Sequence, residues 1–326
     1  MLFNSTKLTL TNALMIGVIM VICSNNWIMM WMGLEISMLS FIPFMQNEIK
    51  SSSESMIKYF IVQSIASTLF MFSVICMLIG VNMMNEMIMM ISMLIKLGSA
   101  PFHNWIFMVI EALPFLVLFN LLTIMKLPPI IILYQINQSF LMTPIILSMI
   151  VGSFMCMNQT SVKKTLGFSS IYNLSLMLTS MNKVSLTMTY MVIYSMTLFP
   201  LVILVMKMKI NFINQMVFNN NSTWMSMILW INMLSMGGFP PLMGFMGKMM
   251  IIQNLMENNQ ILLTVIMMTT SVLVMMFYTR LAFTSMLTTF SMKKWSIFYN
   301  KNNSMKFIMS INITLTSLIL TLKSIL

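Results

Sequence analysis

The chain has 326 residues, of which 59% are hydrophobic and only 7% charged, with a formal net charge of +11. Its mean hydropathy of +0.93 and sparse charge set it apart from soluble domains, in which about 25% of residues are charged. A water-soluble fold is excluded. So is a haem site built on axial histidines, because the sequence holds a single His.

Spans of roughly 20 apolar residues, the length that crosses about 30 Å of hydrocarbon, follow one another along the sequence. Cutting at polar clusters predicts helices over 8–24, 27–45, 56–80, 83–104, 114–137, 141–157, 165–181, 185–207, 224–254, 260–284 and 306–324. The expected fold is an all-α membrane protein of about eleven transmembrane helices, a single polytopic domain over 1–326. The first span starts behind Lys7, and no small-residue cleavage site stands before the second begins at Trp27, so a mature amino terminus is expected. Residues 208–223 and 286–305, rich in Asn, Ser and Lys, read as loops.

Eleven crossings assign every loop to a side. Lys7, Lys50, Lys163, Lys164, Lys207, Lys209, Lys293, Lys294, Lys301 and Lys306 fall on the amino-terminal side, whereas Lys183 and Lys323 fall on the other. Loop lysines concentrate in the compartment of insertion, so the amino terminus is placed there and the carboxyl terminus opposite. The dispersed lysines form no basic stripe for nucleic acid. Cys23, Cys76 and Cys156 lack metal or disulfide spacing. No Gly-rich strand-to-helix turn for a nucleotide is present.

Four ionisable residues lie well inside predicted spans: Glu35, Lys96, Lys126 and Lys248. Each costs about 2.5–3.5 kcal/mol at a helix centre on insertion scales, so each is expected to face another polar group or water. Such groups mark an ion path, or else form a buried packing pair or a lysine that snorkels to the interface. Three of them stand beside prolines. Pro101 removes the helical partner of the Leu97 carbonyl next to Lys96, and Pro128 and Pro129 remove those of Ile124 and Met125 next to Lys126. Gly237-Gly238-Phe239-Pro240-Pro241 interrupts the ninth span about two turns before Lys248. Irregular backbone survives in a bilayer only where protein or water satisfies it, so the breaks point to a wet path. The broken fourth and ninth spans are five apart, which gives units of opposite orientation, as in inverted-repeat transporters.

His103, just past Pro101, is either a proton relay or a hydrogen-bonding residue of the helix connection. Glu86 and Glu111 lie near span ends and read as solvated. Trp27, Trp105, Trp224 and Trp295 read as interfacial anchors.

Several segments carry a family resemblance. They are Trp31-Met32-Gly33-Leu34-Glu35-Ile36, Lys96-Leu97-Gly98-Ser99-Ala100-Pro101-Phe102-His103, and Ser235-Met236-Gly237-Gly238-Phe239-Pro240-Pro241-Leu242 followed by Gly244-Phe245-Met246-Gly247-Lys248. With Lys58-Tyr59-Phe60, Gln63, Asn158-Gln159-Thr160 and Lys163, they resemble the chain 2 family of mitochondrial NADH:ubiquinone oxidoreductase, respiratory complex I, over essentially the whole sequence in order. Ile124-Met125 departs from the Trp-Gln that commonly precedes the lysine in related chains. The 48 methionines agree with an AT-rich mitochondrial gene in which an isoleucine codon is read as Met.

The resemblance implies an antiporter-like inverted-repeat fold lacking the first three helices of the fourteen-helix form, in the mitochondrial inner membrane with the amino terminus in the matrix. It implies proton translocation coupled to electron transfer from NADH to ubiquinone in other subunits. In that reading Glu35 pairs with Lys96, Lys126 is the central lysine and Lys248 the terminal one. At about 5 Å and an effective dielectric near 20, a Glu35–Lys96 pair interacts by roughly 3 kcal/mol, enough to load and unload a proton as the carboxylate moves. No cofactor is expected in this chain; FMN, iron–sulfur clusters and ubiquinone belong to other subunits. The implied partners are membrane-arm subunits including chain 4 and the small chain 4L, together with phospholipids. A free-standing cation/proton antiporter and a structural membrane-arm scaffold are the rival readings.

Overall fold

The computed structural model describes residues 5–46, 50–80, 83–136, 140–218 and 223–290. The predicted span 306–324 and most of the loop 286–305 lie outside them. The first ten predicted spans all fall on helix, because runs of apolar side chains in lipid leave the backbone no hydrogen-bond partner but itself.

Met1–Ser148 form one compact unit and Met149–Leu326 a second. In the first unit, α1 (Ser5–Cys23) packs on α2 (Trp27–Phe44), and α3 (Lys50–Ile79) lies against α2 and against α4 (Met83–Leu97). Then come α5 (Asn104–Ile110), which packs on α3, α6 (Phe115–Leu122), a 3-10 turn at Ile124–Lys126, and α7 (Leu127–Gln135), which packs on α1 and α4. The fourth and fifth predicted spans are therefore each broken in two. The boundary between the units falls inside α8 (Met142–Met157).

The second unit continues with α9 (Val162–Thr179), α10 (Val184–Met208), α11 (Ile213–Phe218), α12 (Thr223–Gly237), α13 (Met243–Glu257) and α14 (Ile261–Phe290). The segment 208–223, expected to be loop, contains the short α11. One bridge, with Val162 N–H donating to Asn211 O at 3.0 Å and Ile213 N–H to Thr160 O at 2.9 Å, brings the start of α9 to the end of α10. Lys163, Lys164, Lys207 and Lys209 thus gather at one end of this unit, and Lys183 stands at the other.

The polar helix is at the centre of the second unit and the apolar ones are outside. Every residue of α9 from Thr165 to Thr179 is buried, including Ser169, Ser170, Asn173 and Ser175. Its serine and threonine hydroxyls are satisfied locally, Ser170 Oγ donating to Gly167 O at 2.7 Å and Thr179 Oγ1 to Leu176 O at 2.8 Å. Large apolar side chains such as Ile16, Leu78, Val192 and Phe283 are exposed instead. This is the arrangement expected when the solvent is hydrocarbon. Among the described residues, six helices are long and apolar enough to cross a membrane, the pair α6–α7 counting as one of them.

Candidate functional site

Both long breaks end in the same backbone motif. After α4, Gly98 takes φ +66° and donates to Ile95 O at 3.1 Å, while Ser99 N–H donates to Leu94 O at 3.2 Å. After α12, Gly238 takes φ +81° and donates to Ser235 O at 3.1 Å, while Phe239 N–H donates to Leu234 O at 3.1 Å. These paired bonds closed by a left-handed glycine are the Schellman helix stop. Each is followed by proline, Pro101 or Pro240, which cannot resume the helix at once.

In the first unit the stop leaves Lys96 in the last turn of α4, where a cation complements the helix dipole. The carbonyls bared there are taken by neighbours. Trp105 Nε1 donates to Ile95 O at 3.0 Å and Gln63 Nε2 to Lys96 O at 3.3 Å. Trp105 is only 9% exposed and stacks obliquely on Tyr59 at 5.9 Å, so it fastens the two sides of the break and is not an interfacial anchor. The carbonyls these donors take are those of Ile95 and Lys96, not the Leu97 carbonyl expected as a partner for Lys96.

Lys126 is set by a different device. Thr123 Oγ1 donates to Phe119 O at 2.7 Å at the end of α6, and Lys126 N–H donates to Thr123 O at 3.2 Å in the 3-10 turn. Pro128 and Pro129 occupy the first turn of α7, where a missing N–H costs nothing, so they begin a helix rather than kink one. The Ile124 carbonyl accepts from Leu127 N–H within that turn.

Lys96 and Lys126 are 7% and 3% exposed and line one cavity of about 20 Å³, together with Ser37, Tyr59, Gln63 and Trp105. That is room for about one water. Glu35 is half-buried on α2. It lies near enough to Lys96 and Tyr59 for its charge to be felt through space, and among the described residues it makes no close ion pair. His103 caps α5 from outside this cavity, its Nδ1 3.2 Å from Pro101 O and its ring edge-on to Phe107 at 5.9 Å. Glu86 is half-buried near the start of α4, and Glu111 is exposed after α5. Trp27 packs edge-on against Phe70 at 6.3 Å, whereas the side chains of Trp224 and Trp295 lie outside the described residues.

In the second unit Lys248, 6% exposed, reaches back from α13 across the break. Its Nζ donates to Gly237 O at 2.7 Å and lies 5.6 Å from the centre of the Tyr172 ring. A carbonyl freed by the break is thus the partner of this lysine. A cavity of about 10 Å³ beside it is lined by Asn173, Tyr190, Tyr194, Thr197 and Ser235, and Tyr190 Oη donates to Asn173 Oδ1 at 2.8 Å. The sequence reading missed Tyr172, Asn173 and Tyr190. The signal for Tyr172 and Asn173 was the Ser169-Ser170-Ile171-Tyr172-Asn173 run inside a predicted span, too polar to face lipid.

The geometry therefore contains buried cations, each beside a helix break and a water-sized cavity, a set that can hold and pass protons. A family model described as NADH:quinone oxidoreductase/Mrp antiporter, TM, matches residues 24–85 and 78–274. NADH-ubiquinone oxidoreductase chain 2 of Anopheles gambiae is 36% identical over 305 residues, covering 90% of this chain and 89% of that one. The chain of the same name from Bos taurus is 34% identical over 302 residues, covering 85% and 84%. Among solved structures, a chain of respiratory complex I from Thermus thermophilus superposes with a TM-score of 0.81 at 18% identity, over 98% of this chain and 78% of that one, which shows a shared fold. By family model and by relatives alike, the chain belongs to the NADH-ubiquinone oxidoreductase chain 2 family of antiporter-like membrane proteins.

Proposed function

We propose that the chain is a core membrane-arm subunit of respiratory complex I and translocates protons across the inner mitochondrial membrane while other subunits pass electrons from NADH to ubiquinone. The observation that carries this is the shared cavity of Lys96 and Lys126, with the charge of Glu35 acting on it. A carboxylate near a lysine favours the protonated form, and moving it away releases the proton. A shift of Glu35 on α2 would therefore load or empty Lys96, and water in the cavity would carry the proton to Lys126. Lys248, in the second unit, is the residue that exchanges protons with the far side. His103 contributes a hydrogen bond to the helix connection, or relays a proton there.

The chain is part of an oxidoreductase complex but carries no redox step itself; FMN, iron–sulfur clusters and ubiquinone sit in other subunits. Its neighbours are other membrane-arm subunits, chain 4 and the small chain 4L among them, and phospholipids cover its apolar face. The test is proton pumping by assembled complex carrying Lys126→Ala or Glu35→Gln. Both variants should lower the protons moved per NADH oxidised and slow coupled quinone reduction. Full stoichiometry in both would rule out the path.

A further inference from the structure

The buried lysine of the second unit has no acid at hand. From Met149 to Leu326 the sequence contains a single acidic side chain, Glu257. It is half-exposed and pairs with Lys183, Nζ to Oε2 at 2.7 Å. It also stands nine residues beyond Lys248, about 14 Å along the axis of α13. In the first unit Glu35 is near enough for Lys96 to feel its charge. A buried ammonium is costly unless something compensates it, so in the second unit the compensation has to come from neutral groups.

Two such groups converge on Lys248 Nζ. Gly237 O accepts its hydrogen bond at 2.7 Å, and the amine stands over the ring of Tyr172, 5.6 Å from the ring centre. The negative face of an aromatic ring attracts a cation within about 6 Å, and more strongly where water is excluded. Tyr172 is wholly buried on α9, and close helix packing fixes where its ring points. A Cβ on Gly152 of α8 would stand 2.8 Å from Tyr172 N and 2.9 Å from its Cβ, so glycine lets α9 lie this near α8 at the level of the ring. The adjacent residue on each helix is braced as well. A Cβ on Gly247 would stand 2.9 Å from two ring carbons of Tyr190, and Tyr190 Oη donates to Asn173 Oδ1 at 2.8 Å. α9, α10 and α13 are thus tied together one residue away from the contact of Lys248 with Tyr172.

We propose that Tyr172 is a positioning residue for the proton on Lys248, its ring face and the Gly237 carbonyl forming a neutral two-sided seat for the ammonium where the first unit uses a carboxylate. A carboxylate can be moved by charges elsewhere, whereas a ring wedged between packed helices and a carbonyl at a helix stop are fixed. The seat therefore favours the charged amine at one place. The proposal rests on the proton-translocating role given to Lys248 and adds the ring to it.

The test compares assembled complex carrying Tyr172→Phe, which keeps the ring face, with Tyr172→Leu, which removes it. Pumping per assembled complex should stay within twofold for Tyr172→Phe and fall by about threefold to thirtyfold for Tyr172→Leu, the range of a desolvated cation–π contact. Equal loss in both variants would overturn the proposal, because the hydroxyl would then be the working part, and so would full pumping in both. Packing is separated from charge by a double-mutant cycle on the midpoint of thermal inactivation. The drop caused by Tyr172→Leu should shrink in a Lys248→Gln background, which keeps a donor for Gly237 O but no charge. An unchanged drop would mean that the ring merely fills space and would overturn the seat. Full pumping by Lys248→Gln would instead remove the role of the lysine in translocation, whereas lost pumping by Lys248→Gln with full pumping by Tyr172→Leu would remove the seat and leave that role standing.

Discussion

Gly238→Ala separates what the break does for the fold from what it does for the lysine. At φ +81° an L side chain is strained, at about 1–2 kcal/mol for a left-handed residue. The new Cβ would also stand 2.8 Å from Lys248 Nζ and 3.0 Å from its Cδ and Cε. Those atoms are the free end of a flexible side chain, so the lysine moves rather than the backbone. Moving it breaks the 2.7 Å bond to Gly237 O, which as a hydrogen bond from a charged or neutral amine is worth about 1–3 kcal/mol. Assembly should therefore fall slightly through the strain, and proton transfer per assembled complex should fall by about fivefold to a hundredfold through the lysine. The assay is the initial rate of NADH-driven acidification in reconstituted vesicles, normalised to assembled complex. Gly80→Ala, whose Cβ meets nothing within 4 Å, is the control. Pumping within twofold of the control would refute the reasoning, because it would mean that Lys248 works equally well away from the carbonyl.

Three further substitutions test the surroundings of the lysines. Trp105→Phe keeps a ring against Tyr59 but removes one of the two donors to Ile95 O, leaving Gly98 N–H, so the complex should lose about 0.5–1.5 kcal/mol of stability, the net worth of one hydrogen bond, read as a lower midpoint of thermal inactivation. Tyr190→Phe leaves Asn173 Oδ1 without its 2.8 Å donor beside Lys248, with a similar cost of about 1–3 kcal/mol, and should slow pumping more than it lowers complex abundance. Lys183→Ala breaks a half-exposed pair, worth about 0–1 kcal/mol, so the inactivation midpoint should be almost unchanged.

Lys96, Lys126 and Lys248 were legible in the sequence because a charge in an apolar span is conspicuous, and the breaks were legible because proline cannot continue a helix. What the spans did not reveal was how each break is closed. Periodicity records that a side chain is apolar or aromatic, and Trp105 near a span end reads as an interfacial anchor by that measure alone. Its donation to Ile95 O depends on α5 folding back beside α4, a tertiary fact. The tandem Pro128-Pro129 misled in the other direction. Two prolines in a long apolar run imply a kink with freed carbonyls, but the helix stops at Thr123 and restarts, which turns the same prolines into an ordinary first turn. Tyr190 was hidden for a third reason, since a single polar residue in a span carries no signal until its partner on another helix, Asn173, is known.

The two glycine stops share one geometry but make room for different things, and this decides how each lysine is held. A Cβ on Gly98 would run into Ile106 Cδ1, so the first stop exists to let α5 pack closely, and Lys96 is left before it with its side chain in the cavity. A Cβ on Gly238 would run into Lys248 itself, so the second stop exists to let the lysine approach the carbonyl of Gly237. A hydrogen bond to a fixed carbonyl sets where the amine sits, whereas a lysine in a cavity answers to whatever charge approaches, here Glu35. Lys96 is therefore placed to respond to a moving carboxylate and Lys248 is placed by its carbonyl. On this reasoning Glu35→Gln should slow proton loading in the first unit and leave the Lys248 region unaltered. Gly238→Ala should do the reverse, slowing proton transfer at Lys248 and leaving the Lys96 cavity as it is.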